Sequence, residues 1–225
     1  MKKVIAVAIS MAFLSGCAGS SKPETVKSTN GSAIEIVSGA ALNDLNNNRV
    51  ADNKLRLVTP ADNTVGKGLA VLAVVTGNFS TSDFDKENYK GSAIDTMVNP
   101  TESYFTPKAK KSITEWMSAN TSGYTYNQPL YIGHATWALI FNDSSVADPV
   151  YQLKYKVIFY KRPEGGSLFS AFTVADCSPT PVTATLAEWK ENNYQKVTTE
   201  TQKYMDSCLL EFNNQLPRLL KPANK

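Results

Sequence analysis

The chain carries one histidine, His134, so any Ser-His-Asp or Cys-His chemistry has to run through it. It stands in Gly133-His134-Ala135, inside a stretch that alternates as a strand does, and no Gly-x-Ser-x-Gly elbow accompanies it. A strand histidine, hydrogen-bonded or half exposed, is the expectation. Zinc is poorly served for the same reason: there is one imidazole, and the cysteines lack metal-ligand spacing. Acid–base hydrolysis of a glycan needs two facing carboxylates, and their separation is a three-dimensional quantity. Asp83, Asp85, Glu87, Asp95 and Glu102 are the available acids of the polar middle region, where solvated loop charges are expected. Gly66-Lys67-Gly68 has neither the Walker A spacing nor its Lys-Ser/Thr end.

Asp44, Asn46, Asn48 and Asp52 set oxygen side chains at alternate positions and resemble the first part of an EF-hand or dockerin-type calcium loop. Arg49 takes the glycine place, Leu55 takes the place of the bidentate Glu, and only Asp44 and Asp52 bring charge. An Asn-rich turn is therefore expected, with a weak calcium site as the alternative; no cofactor is expected. Cys177 and Cys208 are an even pair beyond the first cysteine and predict a disulfide if the chain is exported. Two buried thiols or a redox pair are the alternatives, although redox pairs normally sit as Cys-x-x-Cys. Lys108, Lys110 and Lys111 crowd the start of a predicted helix, against its dipole. A solvated face is the expectation for them, and contact with lipid headgroups or an acidic partner the alternative. Tyr124 and Tyr126, in a Gly/Asn/Ser context, are the tyrosines expected to be exposed and are candidates for partner or glycan contact.

A basic start (Lys2, Lys3), an apolar run from Val4 to Phe13 and the ending Leu14-Ser15-Gly16-Cys17 have the layout of a secretory signal peptide. The ending resembles the lipobox of bacterial lipoproteins. That resemblance implies that residues 1–16 are removed, that Cys17 is acylated, and that the acyl chains hold the protein to a membrane. A transmembrane span is excluded on length: the uncharged stretch from Val4 runs about 13 residues, where about 20 are needed. Ala18 follows the cysteine. In the lipoprotein class Asp at that place resembles an inner-membrane retention signal, so Ala18 implies the bacterial outer membrane, facing the periplasm.

Stepping inward, Ala18 to Ser32 is polar apart from Val26, so residues 17–32 are expected to be a lipidated cysteine and a flexible tether. Residues 33–225 are expected to form one globular domain. Ala33–Val37 and Leu55–Val58 are short strand candidates, and Lys67–Thr76 is a buried strand or helix. Thr106-Pro107 predicts a helix start with the hydroxyl as cap, and Ile113, Trp116 and Met117 share one face of that helix. Period-two alternation over Leu130–Phe141 and Tyr151–Tyr160, then a strand over Leu168–Ala175, predicts an antiparallel meander across about 130–175. Thr185 and Glu188 form a capping box for a long C-terminal helix, whose stripe runs from Leu186 and Trp189 to Phe212 and includes Cys208. The fold class predicted is α+β, an antiparallel sheet with that helix packed on one face.

The formal charge of +3 includes Lys2 and Lys3, so the processed chain is close to neutral, and no nucleic-acid partner is expected. The leading functional expectation is a non-enzymatic, lipid-anchored accessory or scaffold subunit of a membrane or cell-wall complex, with an envelope protein as partner. A small-ligand or glycan-binding lipoprotein and an envelope-polymer hydrolase are the alternatives.

Overall fold

The computed structural model describes residues 22–62, 90–142, 149–167 and 169–223. The strand or helix expected at Lys67–Thr76, the acids Asp83, Asp85 and Glu87, and Cys17 lie outside them. The described elements are β1 (Glu24–Lys27), β2 (Ala33–Ala40), β3 (Lys54–Val58), β4 (Ser92–Val98), α1 (Thr106–Asn120), β5 (Leu130–Phe141), β6 (Val150–Lys161), β7 (Thr173–Cys177), β8 (Val182–Thr185) and α2 (Leu186–Leu219).

The two stretches of longest alternation, β5 and β6, form an antiparallel ribbon that is the spine of the sheet. Residues opposite each other share a face. Ile132 faces Phe159, Trp137 faces Tyr155 and Leu139 faces Leu153 on the side covered by the helices. Tyr131 faces Tyr160 and Ala138 faces Lys154 on the other. Each outer edge of this ribbon is covered by two short strands in succession. Along β5, β2 pairs with Leu130 to His134 and β3 with Ala138 to Ile140; along β6, β7 pairs with Val157 to Lys161 and β8 with Val150 to Leu153.

The fold is α+β, with a mixed, curled sheet and a long C-terminal helix. The expectation of a purely antiparallel sheet is corrected: β2 and β3 both run parallel to β5. Periodicity reports which face of a strand is buried and carries no information on the direction of its neighbour. The third meander strand is also shorter and later than expected, Thr173–Cys177. The tether expected over 17–32 is corrected in its described part. Glu24–Lys27 adds to β2 as an antiparallel edge strand with Val26 buried, because one apolar side chain suffices for a four-residue edge.

Thr106 does not cap α1. A wide helical turn over Thr101–Phe105 precedes it, and Thr106 Oγ1 donates to Thr101 O at 3.2 Å. Ile113 and Met117 are buried and Trp116 is partly buried. The C-terminal end of α1 is tied to the Asn30 side chain: its Nδ2 donates to Ser118 O at 3.1 Å and to Met117 O at 3.0 Å, an oxygen that also accepts from Thr121 N. The capping box of α2 is formed by Thr185 and Glu188. The helix is interrupted at Glu191–Tyr194, where Asn192, Asn193 and Tyr194 take φ of 47°, 54° and 63°. Asn enters that left-handed region readily and Tyr does not. Beyond the break, Val197, Thr201, Tyr204, Met205, Cys208 and Phe212 face the sheet, whereas Asn193 of the expected stripe is exposed. Phe212 meets Phe159 of β6 and Phe105 at ring separations of 4.7 and 6.0 Å, so three elements share one aromatic cluster.

Cys177, at the end of β7, is bonded to Cys208 on α2 with a Cα–Cα separation of 5.6 Å. The chain-entropy argument gives such a loop about 3–4 kcal/mol of stabilisation. Replacing both cysteines with serine is therefore expected to lower the unfolding free energy by about that amount in urea titration. An unchanged midpoint at unchanged slope would show that the bond adds nothing to the docking of α2.

Candidate functional site

The densest concentration of polar side chains in the interior lies where β2 stops and β3 starts along β5. Ala135 is an extra residue there, a bulge opposite β6. The backbone of the β2–β3 connection stands in for the missing strand. Ala41 N donates to His134 O at 2.9 Å, and Asp52 N donates to Ala135 O at 2.8 Å. The next donor on β5, Trp137 N, is taken by the Asp52 carboxylate itself at 2.9 Å. Arg56 holds that carboxylate in a fork, with Nε on Oδ1 at 2.8 Å and one terminal nitrogen on Oδ2 at 3.2 Å. Gly133 is required at this place, since a Cβ there would come within 2.8 Å of Ala41 Cα.

Asn99 and Thr101 extend the seam. Asn99 donates from Nδ2 to Asp52 O at 2.8 Å, and its Oδ1 accepts from Thr101 N and Thr101 Oγ1. Thr101 Oγ1 also lies 2.8 Å from the buried Tyr155 hydroxyl, whose pKa is raised by burial. His134 sits between these groups, buried on the helix side. Its Nε2 lies 2.6 Å from Asn53 Oδ1. An amide oxygen accepts, so Nε2 carries the proton. Nδ1 is then a bare acceptor, buried and without a hydrogen bond, with Glu102 Oε1 3.9 Å away. Burial lowers the pKa of His134, against a smaller raising effect of the Asp52 charge. Among the described residues, no hydroxyl or thiol hydrogen-bonds to either ring nitrogen. Burial thus disfavours the charged form of the imidazole, which is held in place by Asn53.

A cleft of about 200 Å³ opens beside this seam at the start of α1, lined by Lys22, Glu24, Ser38, Glu102, Thr106 and Lys110 among others. Its polar groups are largely satisfied by one another. Ser38 Oγ lies 2.8 Å from Thr106 Oγ1, and Lys110 is ion-paired with Glu24. The other lysines of α1 are paired too. Lys108 bonds Asp206 at 2.6 Å and lies over the Tyr104 ring, and Asp206 first and Tyr104 second raise its pKa. Lys111 approaches Glu115 at 3.8 Å.

The calcium-loop residues do not converge on a cation site. Asp52 is committed to Arg56 and Trp137 N, Asn46 is buried with Nδ2 donating to Arg49 O, and Asp44 and Asn48 are exposed. The exposure expected of the two tyrosines is corrected. Tyr126 is buried and donates to Leu220 O at 2.7 Å; Tyr124 packs edge-on against it and accepts from Ala223 N at 3.1 Å. Their Gly/Asn/Ser surroundings are a crossing point of the C-terminal chain, which local composition does not reveal.

Two polar features escaped the sequence reading. Asn99-Pro100-Thr101 carries the signal of an Asx turn, and it supplies the seam with two members. Lys161 and Glu164 form a fully buried ion pair. Glu164 also accepts from Asn127 N and Gln128 N, at 3.0 and 3.2 Å, so the turn Pro163–Gly166 does more than reverse the chain. No known protein family, curated protein or solved structure matches the chain.

Two outcomes are expected. Asp52→Ala removes the carboxylate that Arg56 and the Trp137 N–H share and should cost about 3–5 kcal/mol in urea unfolding; a cost under about 1 kcal/mol would show that water replaces the carboxylate. For His134 the folded-state pKa lies below the unfolded value near about 6.5. Below that pH the unfolded chain takes up a proton that the folded chain resists, so stability falls as pH drops. The loss is at most about 1.4 kcal/mol per pH unit. Comparison of wild type with His134→Gln between about pH 7 and pH 5 isolates it; identical pH dependence would show that His134 is protonated equally in both states.

Proposed function

We propose that this chain is a lipid-anchored envelope protein, acylated at Cys17, that acts as a non-enzymatic scaffold or accessory subunit of a membrane or cell-wall complex at the outer membrane. The observation that carries the non-enzymatic reading is the use to which reactive side chains are put among the described residues. The histidine is neutral in the core on Asn53, Cys177 and Cys208 are bonded to each other, and Asp52 is clamped by Arg56. Clefts among the described residues include ones of about 290, 230, 200 and 150 Å³.

The anchor is supported by the lipobox resemblance of Leu14-Ser15-Gly16-Cys17. No helix of the described residues is long and apolar enough to cross a membrane. Acylation supplies the attachment in this reading, since two or more acyl chains hold a protein stably where one does not.

Cys17→Ser is expected to leave the protein unprocessed or to release it from the membrane fraction on cell fractionation. Normal processing with undiminished membrane retention would overturn the anchor. For the scaffold, crosslinking in intact cells with a C-terminally tagged chain should recover one envelope protein in stoichiometric amount. Recovery of no protein would overturn the scaffold reading in favour of ligand binding or catalysis.

A further inference from the structure

On the β5 edge of the ribbon, Trp137 N–H meets a carboxylate of the chain, Asp52, at 2.9 Å, with Arg56 as its counter-charge. Across the ribbon from Trp137 stands Tyr155. Trp137 N–H points away from β6, so the two form a non-hydrogen-bonded pair, and Tyr155 turns its own N–H and C=O away from β5. They face the outer edge of β6. There the pairing with β7 ends at Val157 and the pairing with β8 ends at Leu153, so Tyr155 has no pairing residue on that edge.

Two features keep the place open. The link between β7 and β8 passes it with Pro179 and Pro181, which have no N–H to give to a strand. Tyr204 bridges only the neighbouring position, between Val182 N and Leu153 O, and comes from the helix side. The other face carries a cleft of about 290 Å³. Its walls include Thr136, Lys154 and Lys156, which share the face away from the helices: Thr136 is opposite Lys156, and Ala138 is opposite Lys154. The Tyr155 side chain goes the other way, to Thr101, so Tyr155 contributes main chain to the cleft.

The chemistry of this lining is one-sided. It holds the ammonium groups of Lys154 and Lys156 and the hydroxyls of Thr136, Ser178 and Thr180, and none of the lining residues is acidic. Lys156 reaches Asp176 at 3.4 Å, but Asp176 is half exposed and outside the lining. The arrangement repeats that at Asp52, an outward main-chain N–H beside side-chain cations, except that the lining supplies no carboxylate.

We propose that this cleft binds a carboxylate, which accepts from Tyr155 N–H and meets the charges of Lys154 and Lys156. An acidic side chain of a protein partner and a small organic acid share that chemistry. Neither the acylation of Cys17 nor the scaffold reading is needed for it. The test uses the full chain in detergent, labelled with ¹⁵N-tyrosine, with the Tyr155 amide resonance identified by its loss in Tyr155→Phe. It is titrated with sodium acetate, with a blocked tripeptide bearing a central aspartate, with the asparagine counterpart of that peptide, and with sodium chloride at equal ionic strength. The carboxylates should move the Tyr155 amide downfield and saturably, and chloride and the asparagine peptide should not. The double variant Lys154→Gln/Lys156→Gln should bind about tenfold more weakly, with its urea midpoint reporting that it is folded. Tighter binding of the aspartate peptide than of acetate would assign the cleft to a protein partner, and binding no tighter would assign it to a small acid; either supports the site. No movement with either carboxylate, an equal response to chloride or to the asparagine peptide, or an undiminished response in the folded double variant would overturn it. The wild-type titration returns the first two of these by itself, so a double variant that failed to fold would not shield the proposal.

Discussion

The β5–β6 ribbon is longer than any strand beside it, and the rest of the molecule is arranged around that mismatch. Two strands must succeed each other along each edge, and where one gives way to the next a buried backbone donor or acceptor is left over. On the β5 edge the handover falls at the Ala135 bulge. A main-chain segment covers Ala135 O, and a side-chain carboxylate covers Trp137 N. A carboxylate inside a protein needs its own counter-charge and donors, which is why Arg56 lies across it. Asp52 thereby fixes the following residue, Asn53, whose amide oxygen holds the imidazole of His134. The position and protonation of the one histidine follow from a gap between two strands.

The β6 edge meets the same requirement with the C-terminal helix. Between β7 and β8 the hydroxyl of Tyr204 on α2 accepts from Val182 N at 2.6 Å and donates to Leu153 O at 3.4 Å, bridging the strands. Trp189 donates its indole N–H to Tyr151 O, and Trp137 donates its own to Thr201. The helix is thus hydrogen-bonded to the sheet as well as packed upon it, and the Cys177–Cys208 bond lies where β7 ends and the edge changes strands. The left-handed break at Asn192–Tyr194 separates the capping turn, which follows β8, from the long segment that crosses the sheet.

What was legible in the sequence was whatever repeats locally. Alternation gave β5 and β6 to within a residue or two, the capping box gave the start of α2, and an even cysteine pair gave the bond between helix and sheet. Directions and edges were not legible. β2 and β3 reach β5 through long connections, and nothing in their five to eight residues encodes a parallel neighbour. Glu24–Lys27 looked like tether because an edge strand with one buried valine has no pattern to detect. The site was the least legible part. Asp52 was recognisable as a special carboxylate, but its spacing suggested a cation, whereas its partners are an arginine four residues on and a backbone N–H 85 residues on. Tyr124 and Tyr126 were misread for a related reason: the C-terminal chain that covers them is about a hundred residues away.

The seam also explains which side chains must face outward, and it leaves their chemistry free. Ala41 is drawn in against Gly133, and Ala51 and Asp52 are drawn in against β5. In extended backbone the neighbours then point away, which puts Leu42 and Val50 on the surface. Folding asks only that these positions be occupied, and serine, asparagine or lysine would meet the geometry at less cost in solvent-exposed apolar area. A single exposed aliphatic residue needs no explanation. The fold dictates the direction of Leu42 and Val50 and not their polarity, so their polarity is not set by the geometry of the seam.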